Sequence, residues 1–547
     1  MKRYYMSLKP CEFSLTDMKT NRTTKFNNLE ELLTVALKSS CKVYLFELTT
    51  FSKAIVNMFF RFGYKEVSTN TMDNVVRGKL DNNEFVVIGG DSINAIRSRR
   101  TTKATTMFIN AKGQFSTKAT IKDICASVGE TDEITGMVKA LNDLYENGHR
   151  SLTASGNAFN DLKKRCFSNK DGNFAEKNFR ERFPELNKDV HDFVFKSFQG
   201  GLCLYNKKYE GQNYVVGRAY DVNSMFSSIM IQEDMPYGKE TYFKGKYVAR
   251  EYNKLSGKIK NRLYFQRVKI GHMVVKEGGF PVIKNQMREG LRLALGFSKY
   301  INNAKNVELV LNSIDLEILF DNYDVTDIEY VDGYYFEKRR GERFFGKYIN
   351  HWMKKKIEAK TPFERMVAKQ FLNSSYGKFV TKTEKVSYEY VEIDGEYKRA
   401  RNFQTNSMPS VYAPVGAYIT SYARKRLLDA IKQQGDNFIY SDTDSIYVKN
   451  KAVGIDVDAT ELGKWKCEFA FNKFNILGKK QYCVQKANGE AKVVLAGIDD
   501  HIVKDNIKNF NDFYEGKVIE GFRDNYNLNG EKITNKVSVL LNNENIE

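Results

Sequence analysis

Asn437-Phe-Ile-Tyr-Ser-Asp-Thr-Asp-Ser-Ile-Tyr-Val448 is an apolar, β-branched and aromatic run with two carboxylates, Asp442 and Asp444, at its middle. Runs rich in Ile, Tyr, Val and Phe read as buried strands. Burying two acids one residue apart is costly unless cations neutralise them, so the run asks for a metal ion. Residues i and i+2 of a strand face the same side, which would let both carboxylates converge on one site. Oxygen-only ligation there suits Mg²⁺ or Mn²⁺. The same residues also read as a polar hairpin turn with exposed acids.

Upstream, Tyr214-Val-Val-Gly-Arg-Ala-Tyr220 is a second strand pattern that ends in Asp221-Val-Asn-Ser-Met-Phe-Ser-Ser228. A lone acid at a strand end can deliver a third carboxylate to the pair above. Three convergent acids make a two-metal site, which stabilises the attacking and leaving oxygens of a phosphoryl displacement. Just before it stands Phe198-Gln-Gly-Gly201; its glycines either let the backbone approach a ligand or form a bare turn.

Between the two acid-bearing runs lies Thr361-Pro-Phe-Glu-Arg-Met-Val-Ala-Lys-Gln-Phe-Leu-Asn-Ser-Ser-Tyr-Gly-Lys378. Thr361 and Glu364 form a capping box, Pro362 takes the first helical position, and Gly377 is placed to stop the helix. On this helix Arg365, Lys369, Asn373 and Tyr376 share one face. Two cations and an aromatic ring there suit a triphosphate and its nucleoside; a solvated basic face would look the same.

The whole chain has 547 residues, more than one core usually organises, so three or more domains or subdomains are expected. Lys and Arg outnumber Asp and Glu by 86 to 67, a net charge of +19 that favours a polyanionic partner. The seven cysteines are scattered and never in C-x-x-C spacing, which fits a reducing compartment rather than a disulfide framework or a zinc site. No apolar run approaches a membrane span, and the start has no signal-peptide core. To about residue 185 the pattern is α/β: helices at Leu29 to Leu37, Phe51 to Phe62 and Gly136 to Tyr145, and strands at Cys41 to Leu48, Glu84 to Ile88 and Thr105 to Ile109. A basic segment, Arg97-Ser-Arg-Arg-Thr-Thr-Lys103, separates the last two strands.

Asp221-Val-Asn-Ser-Met-Phe, Lys369-Gln-Phe-Leu-Asn-Ser-Ser-Tyr-Gly377 and Tyr440-Ser-Asp-Thr-Asp-Ser445 resemble, in order and spacing, the three polymerase motifs of family B DNA polymerases. The match is closest to the protein-primed branch, which replicates linear genomes of small bacteriophages from a terminal protein. Lys480-Gln-Tyr482 is similar to that family's primer-terminus motif, Thr420-Ser-Tyr-Ala-Arg424 to its template-primer motif, and Phe198-Gln-Gly-Gly201 to its linker motif.

The resemblance implies an α/β and α+β multidomain protein, a ribonuclease-H-like exonuclease domain followed by a right hand. Its expected divisions are an exonuclease-like domain at 1–185, palm at 186–232, a first insertion at 233–343, fingers at 344–380, a second insertion at 381–412, palm at 413–495 and thumb at 496–547. By the same resemblance Asp221 and Asp444 are the main ligands of two Mg²⁺ ions, which Mn²⁺ can replace, helped by the Val222 carbonyl and with Asp442 completing the pocket. Arg365 and Lys369 neutralise phosphates, and Asn373 and Tyr376 meet the incoming nucleotide. Phe226, where the family usually has Tyr, blocks a 2′-hydroxyl. Phe198, Gly200, Gly201, Thr420, Arg424, Lys480 and Tyr482 meet the DNA.

The implied partners are primer–template DNA, dNTPs and a terminal protein that docks on the first insertion. The second insertion reads as a β-hairpin turning at Asp394-Gly395. Around Lys338-Arg-Arg-Gly-Glu-Arg343 to Trp352-Met-Lys-Lys-Lys356, basic and aromatic residues interleave as a phosphate-tracking surface would, with a solvated face as the other reading of the last three lysines. A monomer without a membrane, in the cytoplasm of an infected bacterial host, completes the expectation. A ribonucleotide-using or RNA-templated polymerase, or a non-catalytic DNA-binding scaffold, are the other readings.

The N-terminal region departs from the family. Members carry a D-x-E metal pair on a first strand, and no D-x-E occurs in the first 190 residues here; by the resemblance the chain is expected to begin too late to hold that motif. In the register of Phe46-Glu-Leu-Thr-Thr-Phe-Ser52, Phe51 replaces a metal-binding Asp, and Glu133 and Gly129 fall near the late acid and tyrosine positions. An aromatic ring cannot ligate Mg²⁺, so the scaffold is expected to be kept and its exonuclease chemistry lost. In another register Asp81, Asp91 or Asp132 would supply the metal.

Overall fold

A computed structural model describes the chain except residues 10–11, 39, 47, 70–74, 90–92, 101–104, 116–118, 250–260, 288, 381–383, 394–395, 406–410, 527–531 and 543–547. Its centre is a seven-stranded antiparallel sheet in the order Cys203–Tyr205, Phe438–Asp442, Ser445–Lys449, Gly217–Val222, Trp465–Gly478, Gln481–Lys486, Ala491–Leu495. The run at Asn437 to Val448 is not one strand. It folds back as a hairpin in which Asp442 pairs with Ser445, and Thr443 takes φ 60°. The i/i+2 expectation for Asp442 and Asp444 is therefore replaced by a turn. A β-branched residue is rarely found at positive φ, and here the turn is pinned by Thr443 N–H donating to the Leu202 carbonyl at 2.7 Å and Asp444 N–H to the Asp442 carbonyl at 2.7 Å.

Behind this sheet, the helix Ala413–Gln434 is buried along most of its length. It shares one apolar core with Met225–Gln232, with Glu342–Ile357 and Pro362–Ser374, and with a four-stranded sheet, Asp234–Lys244, Tyr323–Arg340, Leu263–Val275, Asn303–Asn312. The expected first insertion is thus built into the same core. One polar contact closes it. Arg424, 2% exposed, donates to Asp315 Oδ1 at 2.6 Å, and Ser421 to Asp315 Oδ2 at 2.8 Å.

The N-terminal sheet has nine strands of its own among the described residues, and a hairpin from farther along the chain brings the total to eleven. Lys2–Lys9, Cys41–Leu45 and Thr105–Asn110 run parallel at its middle. Leu48–Arg61 packs on one face, while Ile121–Ser127 and Glu133–Glu146 pack on the other. The strand expected to reach Leu48 stops at Leu45, because Leu48 already begins the next helix. Arg97 and Arg99, expected between strands, lie on the strand Ile93–Arg99, whereas Thr101, Thr102 and Lys103 fall outside the described residues, as does Asp91. The first strand, Lys2–Lys9, lies parallel to Cys41–Leu45, and it bears no acid.

Asp394-Gly395 lies outside the described residues, but Glu384–Ile393 and Glu396–Thr405 pair in register from Ile393↔Glu396 to Glu384↔Thr405. This hairpin adds to the edge of the N-terminal sheet through Tyr388↔Thr69 and Glu389↔Ser68.

Pro362–Ser374 starts where expected, with Thr361 Oγ1 accepting from Glu364 N–H at 3.1 Å. Glu364 reaches the Lys360 amide at 2.7 Å instead of the Thr361 amide. The helix ends before Gly377, which lies inside the 3₁₀ turn Tyr376–Val380. Its first turn is seated on the N-terminal domain: Phe363 and Met366 pack on the core around Phe115, with the two Phe rings 5.9 Å apart. Farther along, His149 meets the Phe371 ring edge-on at 5.0 Å, and Trp352 Nε1 donates to Asp161 at 2.8 Å.

Truncating one partner of a buried ion pair leaves the other charge uncompensated, at about 3–5 kcal/mol. Arg424→Ala is therefore expected to lower the thermal midpoint strongly, and adding Asp315→Asn is expected to recover much of the loss. Calorimetry on the parent and the two variants measures both. A double variant no more stable than Arg424→Ala would show that the stranded carboxylate is not the cause.

Candidate active site

The hairpin turn at Thr443 and the end of the strand Gly217–Val222 are neighbours, because Asp221 pairs with Ser445 and Val222 N–H donates to the Asp444 carbonyl at 2.8 Å. Asp221 and Asp444 therefore face one cleft of about 540 Å³, with Lys369, Asp442, Glu468, Lys480, Tyr482 and Lys492 also on its walls. Burial, and then the Asp444 charge, push the Asp221 carboxyl up to about 7 against the opposing pull of Lys369. Asp444 is raised as well, first by burial, with Lys369 again pulling it down. The protein leaves this pair short of positive charge.

Asp442 lines the same cleft and its charge helps raise Asp444, but it has a cation of its own. Its Oδ2 accepts from Lys480 Nζ at 2.7 Å. Among the described residues no three His, Cys, Asp or Glu side chains are placed to hold an ion by themselves. Two carboxylates suffice for Mg²⁺, which usually keeps waters and takes further oxygens from phosphates. The raised pair Asp221 and Asp444 fits such an ion. Val222, whose carbonyl the resemblance assigned to the metal, is fully buried and is not among the residues lining the cleft.

Lys369 lines the cleft, and with Arg365 and Asn373 it is exposed along one face of Pro362–Ser374, as their spacing requires. Tyr376 follows in the 3₁₀ turn and stacks on Phe226, ring centroids 4.2 Å apart. Burial and then the Asp444 charge raise its hydroxyl, so the ring pair stands beside the acids.

The motif residues assigned to DNA divide. Lys480 and Tyr482 line the cleft. Thr420 and Arg424 are 2% exposed and do not reach it. The Thr420 hydroxyl donates to the Ala417 carbonyl at 3.0 Å, and Arg424 Nη1 holds the Gln199 carbonyl and, at 3.2 Å, the Gly200 carbonyl. Arg424 thus fixes the Gly-Gly linker instead of touching a ligand. Gly200 and Gly201 are exposed and Phe198 is half-buried. A Cβ on Gly201 would stand 2.6 Å from Thr443 Oγ1, so this glycine lets the linker lie against the acid-bearing turn.

Two residues escaped the sequence reading. Lys356, taken as one of three helix lysines with a solvated face as an alternative, is 9% exposed and donates to Ser224 Oγ at 3.0 Å. Burial, then Arg365 and Lys369, pull it down to about 8. Glu468 is the second: it occupies the bulge where Ala219 pairs with Phe469 and Tyr220 with Cys467, and its charge helps raise Asp221. A bulge leaves no periodic signal, and a third lysine in a row carries none either.

In the N-terminal domain, Phe51 is half-buried against the apolar core. Asp132 is a helix cap, accepting from Thr135 N–H at 2.8 Å, and Asp81 is exposed at φ 50° between two strands. Neither joins an acidic cluster among the described residues.

Residues 16–453 match the family model for DNA polymerase type B, organellar and viral. The chain belongs to this family. It is 29% identical over 375 residues to the DNA polymerase of Bacillus phage Nf, covering 66% of this chain and 61% of that protein. With the DNA polymerase of Streptococcus phage Cp-1 it shares 30% over 396 residues, 71% and 66% of the two chains. These alignments span about two thirds or less of the relatives' length. In fold it resembles phi29 DNA polymerase complexed with primer–template DNA and incoming nucleotide substrates, at TM-score 0.79 and 20% identity over 99% of this chain and 100% of that one. The shared fold is a mixed α/β multidomain type B architecture.

The raised Asp221 has a measurable consequence. Without a divalent ion it keeps a proton up to about pH 7 when folded, against an ordinary 3.8. The folded chain then binds the extra proton between these values, so the site's contribution is full below about pH 4 and is lost as pH rises through about 7. Metal-free, the thermal midpoint of the parent is expected to fall relative to Asp221→Asn between about pH 5 and about pH 8, and Mg²⁺ should raise it more at the higher pH. A parent-minus-variant difference flat across that range would show that Asp221 holds no such proton.

Proposed function

We propose that this chain is a DNA-templated DNA polymerase, which replicates a linear phage genome from a protein primer and displaces the other strand. The observation that carries this reading is the pair Asp221 and Asp444, short of positive charge, facing one cleft with the fingers lysine Lys369. In the reaction a primer hydroxyl attacks the α-phosphorus of a dNTP, a phosphodiester forms, and pyrophosphate leaves. Asp221 and Asp444 would hold Mg²⁺, which Mn²⁺ can replace, and the ion would supply the positive charge that such a displacement needs at its oxygens. Lys369, Arg365 and the buried Lys356 neutralise the triphosphate, which positions it without covalent chemistry from the protein. Tyr376, stacked on Phe226, offers a wall for base and sugar, and the Phe226 ring fills the space a 2′-hydroxyl would enter. Lys480, held by Asp442, sits where the primer end would meet the acids.

Support for the protein-primed branch comes from the phage relatives and from the two insertions, the one built into the palm core and the other joined to the N-terminal sheet. A terminal protein would supply the first hydroxyl. The protein would work as a monomer in the host cytoplasm; among the described residues no helix is long and apolar enough to cross a membrane. The domain divisions at 185, 232, 343, 380, 412 and 495 are part of the same reading.

Primer extension on a template with Mg²⁺ and dNTPs tests it. The parent is expected to extend with dNTPs and to reject rNTPs, and Asp444→Asn to lose at least about a hundredfold in incorporation while still binding DNA. Retention of more than about a tenth would remove Asp444 from the reacting site.

The N-terminal domain would not proofread, since its first strand bears no acid and Phe51 stands at a ligand position. A mismatched primer, incubated with Mg²⁺ or Mn²⁺ and no dNTP, is expected to keep its length. Stepwise shortening that persists in Asp444→Asn would mean that the exonuclease is alive and that the register through Phe46 to Ser52 is wrong.

A further inference from the structure

We infer that Lys492 is a ligand for a phosphodiester of the primer strand, held in place by Tyr447. This rests on the polymerase reading above and goes beyond the motifs that led to it. Lys492 lies on Ala491–Leu495, which pairs with Gln481–Lys486 through Val484↔Lys492 and Tyr482↔Val494. Residues two apart on a strand share a face, so Lys492 stands on the same face as Tyr482, one rung away. Lys492 is among the residues that line the cleft of Asp221 and Asp444.

What the amine touches is informative. Lys492 Nζ donates to the Tyr447 hydroxyl at 2.9 Å and lies 5.3 Å from the Phe469 ring centroid and 5.7 Å from that of Tyr447. The Tyr447 hydroxyl in turn meets that of Tyr482 at 3.1 Å. Among the described residues no carboxylate lies within ion-pair distance of Lys492. The nearby acids have their own cations: Asp442 has Lys480 at 2.7 Å and Glu468 has Lys466 at 2.9 Å. An ammonium ion carried to a functional cleft, fixed by one neutral hydroxyl and two rings and given no anion, is arranged for an anion from outside.

That anion is assigned by position. The triphosphate has Lys369, Arg365 and Lys356 on the fingers side. Lys492 belongs instead to the wall of Lys480 and Tyr482, along which the primer strand would leave the acids. Each phosphate neutralised by a protein cation releases counterions, so one such contact adds close to one to the slope of log Kd against log salt.

The experiment is fluorescence anisotropy of a labelled primer–template, without nucleotide, over a salt series, for the full chain and for Lys492→Met, Lys492→Arg and Tyr447→Phe. Met keeps the stem on the rings and removes the charge. Lys492→Met is expected to weaken binding roughly 5- to 10-fold at low salt and to lower the slope by about one, Lys492→Arg to restore both, and Tyr447→Phe to weaken binding with the slope unchanged. The dNTP KM at saturating DNA should stay that of the parent. A Lys492→Met variant with parental affinity and slope overturns the inference, and so does a change confined to the dNTP KM, which would place the amine at the triphosphate. Binding is read without catalysis: a parent that binds primer–template but incorporates nothing would refute the polymerase reading and leave this contact standing.

Discussion

Two half-buried carboxylates facing one another are the constraint on which the rest of this structure depends. Asp221 and Asp444 repel, and both lose hydration, so ionising them together in the free protein is unfavourable. What keeps them in place is backbone: one strand end and one tight turn, tied by the Val222 amide to the Asp444 carbonyl. The turn is tied in its turn to Leu202, and Gly201 beside it must lack a Cβ. Arg424, from the long buried helix, holds the carbonyls of that linker. Each layer limits motion in the one before it, so an electrostatically unfavourable pair is kept ready for a cation.

The buried pair of Arg424 and Asp315 extends the same chain of constraints into the first insertion. Desolvating two charges is expensive and gains little net stability over apolar residues of similar volume. Its effect here is geometric. It links the insertion helix Ser313–Asn322, the helix Ala413–Gln434 and the linker at Gln199 and Gly200 through hydrogen bonds whose directions leave few alternatives. An insertion tied in this way cannot be removed as a separate module, because its strands fill the core behind the acids.

The N-terminal domain has a place in the structure whether or not it reacts. Phe363 and Met366 flank Arg365 and are packed on that domain, one turn before Lys369, while the contacts of His149 and Trp352 brace the neighbouring part of the helical hairpin. The helix that presents cations to the cleft is thus seated on a surface the N-terminal domain provides. Strand pairing of the second insertion with the edge of the N-terminal sheet makes a second bridge. These packing duties use its apolar surface and its backbone, so they do not depend on any chemistry in the domain.

Much was legible in the sequence because it is local. The Pro362 helix shows its cap and its periodicity, and the exposed face with Arg365, Lys369 and Asn373 follows from 3.6 residues per turn. The acids announce themselves as charges inside apolar runs, and order and spacing carry the resemblance to type B polymerases. What local pattern could not decide is which side chains meet. Asp442 looked equivalent to Asp444 until the hairpin turned it toward Lys480. Thr420 and Arg424 were placed at the DNA by resemblance, but a helix covered on nearly every side buries them. Lys356 and Glu468 reach the acids only because a helix end and a β-bulge aim them there. Residue types and their periodicities are written along the chain, whereas burial and the pairing of charges depend on segments hundreds of residues apart, and only the tertiary structure brings those together.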